Sequence, residues 1–301
     1  MTKRILVTGG TGFIGQMLCP ELGKRGYELT VLSRQSDSDV RALCGNVVSV
    51  GSLMTLRDHA GFDAVINLAG EGIADKRWTD ARKQALRDSR VGLTQTLVEV
   101  IRSWQQKPQV LVSGSAVGFY GDQGSQPVTE ATAPSPEFTH ELCRDWEQAA
   151  LALEADGVRV CLSRTGVVAG PGGGFLQRML LPFKLGLGGR IGSGEQYMPW
   201  VHRNDVVAGL IWLLEHESAS GPYNMVSPNP VTNREFTRAL AKTVNRPAVF
   251  PVPPQVLKVA LGEMARLLLT GQKALPERLQ AAGFKFQFPT LDSALADAVR
   301  R

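Results

Sequence analysis

Short apolar runs alternate with longer amphipathic stretches through the first half of the chain. Runs of four to six residues predict strands at 5–8, 28–32, 47–50, 64–68, 109–113 and 158–163. Apolar residues at helical spacing predict helices over about 13–25, 79–104 and 140–155. Strands and helices that alternate in this way are typical of an α/β protein with a doubly wound parallel sheet.

The pattern changes after residue 165. Glycine-rich segments at 170–174 and 186–194 frame an apolar run at 179–183, and short helical stretches follow from residue 232. This change indicates a second domain. The predicted domains are a larger one at 1–165, to which 200–230 returns, and a smaller, mostly helical one at 166–199 and 231–301.

A glycine-rich turn directly follows the first strand and opens the first helix. Gly9 permits a tight turn, Gly12 lets a pyrophosphate approach the backbone, and Gly15 lets the helix lie close to the strand. The alternative is a glycine-rich turn that binds nothing, but the strand–turn–helix context favours dinucleotide binding in a Rossmann-type domain. The predicted cofactor-binding residues of this turn are Thr8, Gly9, Thr11, Gly12, Phe13, Ile14 and Gly15.

Two further strand ends carry cofactor signals. Arg34 follows the second strand, where an acidic residue binds a ribose 2′-hydroxyl and an arginine accommodates a 2′-phosphate. Because no acid precedes Asp37, we predict NADP(H) in preference to NAD(H). The alternative is that Arg34 is a solvated surface arginine. Small residues after the fourth strand also allow a ligand to approach closely, and the predicted contacts there are Leu68, Ala69, Gly70 and Glu71.

Composition excludes several classes of protein. The chain has 301 residues, of which 43% are hydrophobic and 20% charged, as in an ordinary globular protein with a sizeable core. The net charge of +5 is interspersed, so no nucleic-acid partner is predicted. The four cysteines are scattered without a CxxC pair, so neither a metal site nor a disulfide framework is predicted.

The chain shows no membrane or export signal. The most apolar late segment, 256–269, is interrupted by Lys258, Glu263 and Arg266, which predicts an amphipathic helix and no membrane partner. The segment Thr2–Arg4 leads straight into the first strand and leaves no room for a signal peptide. We therefore expect a cytoplasmic protein.

A set of motifs in fixed order resembles the extended short-chain dehydrogenase/reductases, that is, the NAD-dependent epimerase/dehydratase-like family. The motifs are Thr8–Gly15, Asn67–Gly70, Ser113–Ser115 with Tyr120–Gly121, Arg164 with Gly170–Gly172, and Trp200–Asp205. The segment from Leu275 to Pro289 is similar to the small domain of one poorly characterised "epimerase family" branch. The resemblance implies a Rossmann domain and a smaller substrate domain with a small-molecule substrate between them. By analogy, it permits a homodimer through the helices at about 79–104 and 140–155.

The chain departs from that family at the catalytic pair. Such enzymes use Tyr-x-x-x-Lys, in which the lysine holds the ribose and the tyrosine moves a proton while the nicotinamide moves a hydride. The residues four positions after the four tyrosines are Val31, Gly124, Val201 and Ser227, so the pair is missing. Counting back from Glu147 places Thr139 and Cys143 at the equivalent positions; a register shifted by one gives His140 and Arg144.

Other residues then become candidates. The proposed catalytic residues are Ser115, Tyr120 and His140, and the proposed substrate-binding residues are Lys76, Trp78, Tyr197 and His202. Each has a structural alternative, such as a core tyrosine, a surface histidine or a solvated loop. Two functional hypotheses follow: an NADP(H)-dependent oxidoreductase or epimerase on an unidentified substrate, and a non-catalytic NADP(H)-binding redox sensor or regulatory protein. A third is an isomerase or dehydratase in which the hydride leaves and returns.

Overall fold

The computed structural model describes residues 3–299, and Thr2, which we expected to lead into the first strand, lies outside the described residues. The strands in that range are β1 (Arg4–Thr8), β2 (Glu28–Leu32), β3 (Val48–Val50), β4 (Ala64–Asn67), β5 (Val110–Ala116), β6 (Pro127–Val128), β7 (Arg159–Thr165), β8 (Val167–Ala169), β9 (Tyr197–Met198), β10 (Trp200–His202), β11 (Gly221–Met225), β12 (Val231–Thr232) and β13 (Lys273–Ala274).

The helices lie between these strands and dominate the last third of the chain. They are α1 (Gly15–Lys24), α2 (Asp37–Cys44), α3 (Asp80–Arg87), α4 (Leu93–Ser103), α5 (Phe138–Leu151), α6 (Gly174–Lys184), α7 (Arg203–Glu215), α8 (Asn233–Thr243), α9 (Pro254–Leu261), α10 (Arg266–Leu269), α11 (Glu277–Ala281) and α12 (Leu291–Val299). Short 3₁₀ turns lie at Leu53–Leu56, Val117–Tyr120, Glu154–Asp156 and Gly262–Ala265, and a π-helical turn lies at Asp88–Gly92.

Seven parallel strands form the main sheet in the order β11-β7-β5-β4-β1-β2-β3. One buried cluster covers the face packed by α1, α2 and α7, and a second covers the face packed by α4 and α5. Strands buried on both faces read as continuous apolar runs, which is why the sequence locates them. The predicted doubly wound α/β fold with a helical C-terminal region is confirmed.

The helical segment predicted over about 79–104 is confirmed, because helical residues run from Asp80 to Ser103. It is interrupted by the π-helical turn at Asp88–Gly92, which separates α3 from α4. The guanidinium of Arg90 turns back from this wide turn and donates a hydrogen bond to the carbonyl of Glu71. Turns of this kind insert one extra residue and frequently lie at functional sites.

The segment 200–230 supplies β11 to the edge of the main sheet and α7 to one of its faces. A separate buried cluster joins α6, α8 and α12 around Trp200 and Phe236. Within residues 3–299, no helix is both long and apolar enough to cross a membrane. The same residues contain no group of three or more His, Cys, Asp or Glu side chains placed to hold a metal ion.

Candidate functional site

The glycine turn closes tightly on the chain segment that follows β4. Gly9 has a φ of +72°, and a Cβ at this position would lie 2.6 Å from both the carbonyl carbon and the carbonyl oxygen of Leu68. Carbon atoms in contact prefer about 3.5 Å or more. Only glycine therefore fits between the ends of β1 and β4.

The start of α1 presents free donors. A Cβ at Gly15 would lie 2.4 Å from the carbonyl oxygens of Gly9 and Gly10, so this glycine lets the helix approach the turn itself. Among residues 3–299, no acceptor takes the N–H groups of Phe13 or Ile14, and α1 has no side-chain cap. Unpaired N–H groups at a helix N-terminus form an anion-binding position.

The ring of Phe13 joins this turn to the loop before α6. Cβ atoms at Gly173 and Gly174 would lie 2.5 and 2.9 Å from that ring, so the glycine-rich segment predicted as a loop is shaped to receive it. The guanidinium of Arg203 lies 4.5 Å from the centre of the same ring. The contact fixes the turn relative to the C-terminal half of the chain.

A buried polar network fixes the strand ends beneath the turn. The Thr8 hydroxyl donates to Oδ1 of Asn67 at 2.6 Å and accepts from the backbone N–H of Ala69 at 3.2 Å. Nδ2 of Asn67 and Nε1 of Trp146 both donate to the Thr94 hydroxyl, at 2.9 and 3.1 Å. Because buried polar groups are costly without partners, the network holds β1, β4, α4 and α5 in one arrangement.

Two arginines that sequence reasoning missed hold the loop after β4. Arg82 donates to the carboxylate of Glu71 and, at 2.7 Å, to the carbonyl of Gly72. Nη2 of Arg90 donates to the carbonyl of Glu71 at 2.8 Å, and its guanidinium carbon lies 3.1 Å from where a Cβ on Gly70 would be. The carboxylate of Glu71 is thus engaged by Arg82, while the loop backbone stays in place beside the glycine turn.

Arg90 is the cation at this edge of the sheet. Burial lowers the pKa of its guanidinium, and no carboxylate of residues 3–299 forms an ion pair with it. It lies 5.5 Å over the ring of Trp146 and close to the thiol of Cys143. Burial raises the pKa of the Cys143 thiol to about 12, so this residue is neutral at pH 7. It therefore cannot supply the positive charge of the lysine in the Tyr-x-x-x-Lys pair.

Ser115 lies in a buried charged network at the end of β5. Its hydroxyl donates to Oε1 of Glu147 at 2.6 Å, and Arg164 donates to both carboxylate oxygens of Glu147 at 2.8 Å. Burial alone would lower the pKa of Arg164, but its hydrogen bonds to Glu147 and Tyr120 raise it overall. Ser115 is therefore oriented by a carboxylate that is itself locked by a bidentate arginine.

Tyr120 lies in the same network and is fully buried. Its hydroxyl donates to Oδ1 of Asn224 at 2.6 Å and accepts from Nη1 of Arg164 at 3.0 Å. Burial raises the pKa of this phenol above its ordinary value. The side chain holds a neutral phenol with both of its hydrogen-bonding roles occupied.

The two alternative residue pairs on α5, Thr139 with Cys143 and His140 with Arg144, face different parts of the structure. Thr139 contacts Gly118, and Cys143 lies beside Ser115, so this register faces the end of β5. His140 instead lies with Nδ1 2.7 Å from the carbonyl of Phe119 and packs edge-on against that ring. Since the carbonyl only accepts, Nδ1 carries the proton there.

The predicted substrate-binding residues have separate surroundings. Nε1 of Trp78 donates to the carbonyl of Ile73 at 2.9 Å. His202 is fully buried, accepts from the N–H of Asn204 at the start of α7, and has Nε2 3.2 Å from Asp297. The remaining two are Tyr197, whose ring contacts the ammonium of Lys273, and Lys76, which is exposed in the loop after β4.

Comparison with known proteins matches the chain to two family models. The model of the NAD dependent epimerase/dehydratase family matches residues 5–226, and that of a domain of unknown function, DUF1731, matches residues 252–298. An epimerase family protein of Mycobacterium tuberculosis (strain CDC 1551 / Oshkosh) is 39% identical over 300 residues, covering 99% of this chain and 98% of that protein. One from Staphylococcus aureus (strain MRSA252) is 36% identical over 300 residues, covering 99% and 100%.

A solved structure is similar over the same length. The human epimerase family protein SDR39U1 (isoform 2), crystallised with NADPH, has a TM-score of 0.89 and 36% identity, and the match covers 99% of this chain and 100% of that one. The resemblance inferred from the ordered motifs is confirmed. This chain belongs to the NAD-dependent epimerase/dehydratase family.

Proposed function

We propose that the protein is an NADP(H)-dependent oxidoreductase or epimerase that acts on a small, unidentified substrate. The observation that carries this proposal is the glycine turn, which closes on Leu68 and leaves the N–H groups of Phe13 and Ile14 without acceptors among residues 3–299. The related human protein crystallised with NADPH supports the same assignment. When bound, this cofactor supplies or accepts a hydride.

The residues at the strand ends have distinct roles in holding the dinucleotide. The N–H groups at the start of α1 bind the pyrophosphate. The backbone of 68–71 lies along the cofactor, and Arg90 supplies the positive charge that Cys143 cannot. A partly buried guanidinium with no ion-paired carboxylate among residues 3–299 is costly, so an oxygen-rich ligand beside it relieves that cost.

Arg34 sets the preference for NADP(H). It is exposed at the carboxyl end of β2, and no described residue accepts a hydrogen bond from its guanidinium. An arginine free to bind a 2′-phosphate contributes a charge-assisted contact that NADH lacks.

We expect Arg34→Ala to weaken NADPH binding by about tenfold or more while NADH affinity changes less than about twofold. Arg41→Ala is the matched control, because Arg41 is also exposed but lies on the last turn of α2. Calorimetric titration with both cofactors measures the effect. Equal losses for NADPH and NADH would remove this role from Arg34.

Ser115 orients the substrate oxygen. Because its proton is donated to Glu147, a lone pair of its oxygen remains to accept a hydrogen bond from a substrate hydroxyl. Glu147 holds that orientation and Arg164 holds Glu147. Tyr120 and His140 are the alternative groups for proton transfer proposed from the sequence.

A second candidate function is a non-catalytic NADP(H)-binding redox sensor or regulatory protein. The observation that favours it is the engagement of the candidate acids: the Tyr120 phenol is buried between Asn224 and Arg164, and the Ser115 proton is directed to Glu147. A sensor needs cofactor binding but no free proton donor.

Turnover distinguishes the two functions. An enzyme will reduce bound NADP⁺ with at least one member of a panel of small alcohols, whose hydroxyl can donate to Ser115, and Ser115→Ala will lower kcat about 10- to 100-fold with cofactor affinity unchanged. Lack of turnover across the panel, together with no isotope exchange between cofactor and substrate, would favour the sensor. Isotope exchange without net oxidation of the substrate would identify the third hypothesis, an isomerase or dehydratase in which the hydride leaves and returns.

A further inference from the structure

A polar cavity lies in the C-terminal half of the chain, away from the glycine turn. It has a volume of about 270 Å³ and is lined by Arg190, Arg234, Thr237, Arg238, Ala248, Val249 and Pro251. None of these residues lies in the buried network around Ser115 or in the cofactor turn. Three guanidinium groups on one small cavity create a strongly positive site.

Two donors of this cavity have no partner. Nε of Arg234 and Oγ1 of Thr237 are buried, and neither makes a hydrogen bond to any of residues 3–299. Thr237 is 4% exposed, so it lies against the wall of the cavity and not on the open surface. Unpaired buried donors are rare and costly, and both of these belong to residues that line the cavity.

The wall is held rigidly. Nη1 of Arg190 donates to the carbonyls of Gly192 and Ser193 at 2.9 Å, and Nη2 of Arg234 donates to the same Ser193 carbonyl at 3.0 Å. Thr232 precedes helix α8 and caps it reciprocally with Glu235, which fixes the turn that carries Arg234. Arg190 and Arg234 are therefore positioned before any ligand arrives.

The charge is not neutralised by the protein. Glu195 contacts Arg234 at 2.5 Å, but its side chain is 64% exposed, and no described carboxylate pairs with Arg190 or Arg238. An exposed ion pair of this kind contributes little. Two of the three guanidinium charges thus remain available to an anion.

We infer that this cavity binds a phosphoryl group, either as free phosphate or as part of a small phosphorylated molecule. Arginine forks match the oxygens of phosphate, and the tetrahedral anion accepts hydrogen bonds in several directions at once. The apolar wall of Ala248, Val249 and Pro251 offers a surface for the carbon part of a larger ligand. The inference does not depend on cofactor binding.

Calorimetric titration of the full chain with inorganic phosphate and with glucose 6-phosphate tests the site. We expect binding of at least one probe, which Arg238→Gln weakens about tenfold and Thr237→Val weakens severalfold, with NADPH affinity unchanged. Lys242→Gln is the matched control, because Lys242 is exposed one turn further along α8 and does not line this cavity.

The two probes separate the sources of the phosphoryl group. Tighter binding of glucose 6-phosphate identifies a phosphorylated molecule, and equal or tighter binding of inorganic phosphate identifies the free ion. The inference would be overturned if neither probe bound, or if the Arg238 and Lys242 variants were weakened equally, since that would reduce the effect to net charge.

Discussion

Arg164→Met will lower the free energy of unfolding by about 3–5 kcal/mol. The side chains of Arg164 and Glu147 are each 6% exposed and are joined through both carboxylate oxygens. Removing the arginine leaves the Glu147 carboxylate buried with Ser115 as its remaining donor. The change also removes a cation–π contact, because the guanidinium lies 3.5 Å from the centre of the Phe119 ring.

Chemical denaturation measures this loss, and two further variants define its origin. Arg102→Met removes one half of the ion pair between Arg102 and Asp156, whose side chains are 45% and 25% exposed. This variant should lower the free energy of unfolding by less than about 1 kcal/mol. The double variant E147L/R164M removes both charges and should recover much of the stability. A loss below about 1 kcal/mol in Arg164→Met would show that the network contributes little.

Gly9→Ala will weaken NADPH binding by about tenfold or more and lower the free energy of unfolding by roughly 2 kcal/mol. The added Cβ would lie 2.6 Å from the carbonyl of Leu68, and the φ of +72° is strained for alanine. The turn must therefore move away from β4. That movement displaces the N–H groups that bind the pyrophosphate.

Gly23→Ala provides the matched control for the same substitution in the same region. Gly23 lies within α1, has no positive φ, and has no atom within 4 Å of where a Cβ would stand. Alanine is the better helix former by about 1 kcal/mol, so this variant should be as stable as the parent or more stable, with unchanged cofactor affinity. Similar losses in both variants would mean that the close contact with Leu68 is unimportant.

Local signals explain how far the sequence predicted the fold. The apolar runs that became β1 and β4 are buried on both sides, and their glycine and small-residue endings are readable one strand at a time. Helix α2 was not predicted because it is short and polar, although Ser36 caps it and two aspartates open it.

Non-local contacts explain what the sequence did not predict. Arg90 looks like a surface arginine on a long helix, and only the π-helical turn brings it under Gly70. The three cavity arginines come from two segments more than 40 residues apart, 190 and 234–238, which no spacing rule connects. The roles of Ser115, Tyr120 and His140 stay predictions, because they depend on a substrate pose.

Titration of the purified protein with NADPH and then with NADH tests the central claim most directly. The glycine turn and Arg34 together predict tight binding of NADPH and binding of NADH that is about tenfold weaker or more. Failure of both cofactors to bind would contradict the account, because the turn would then be a scaffold feature that holds no dinucleotide.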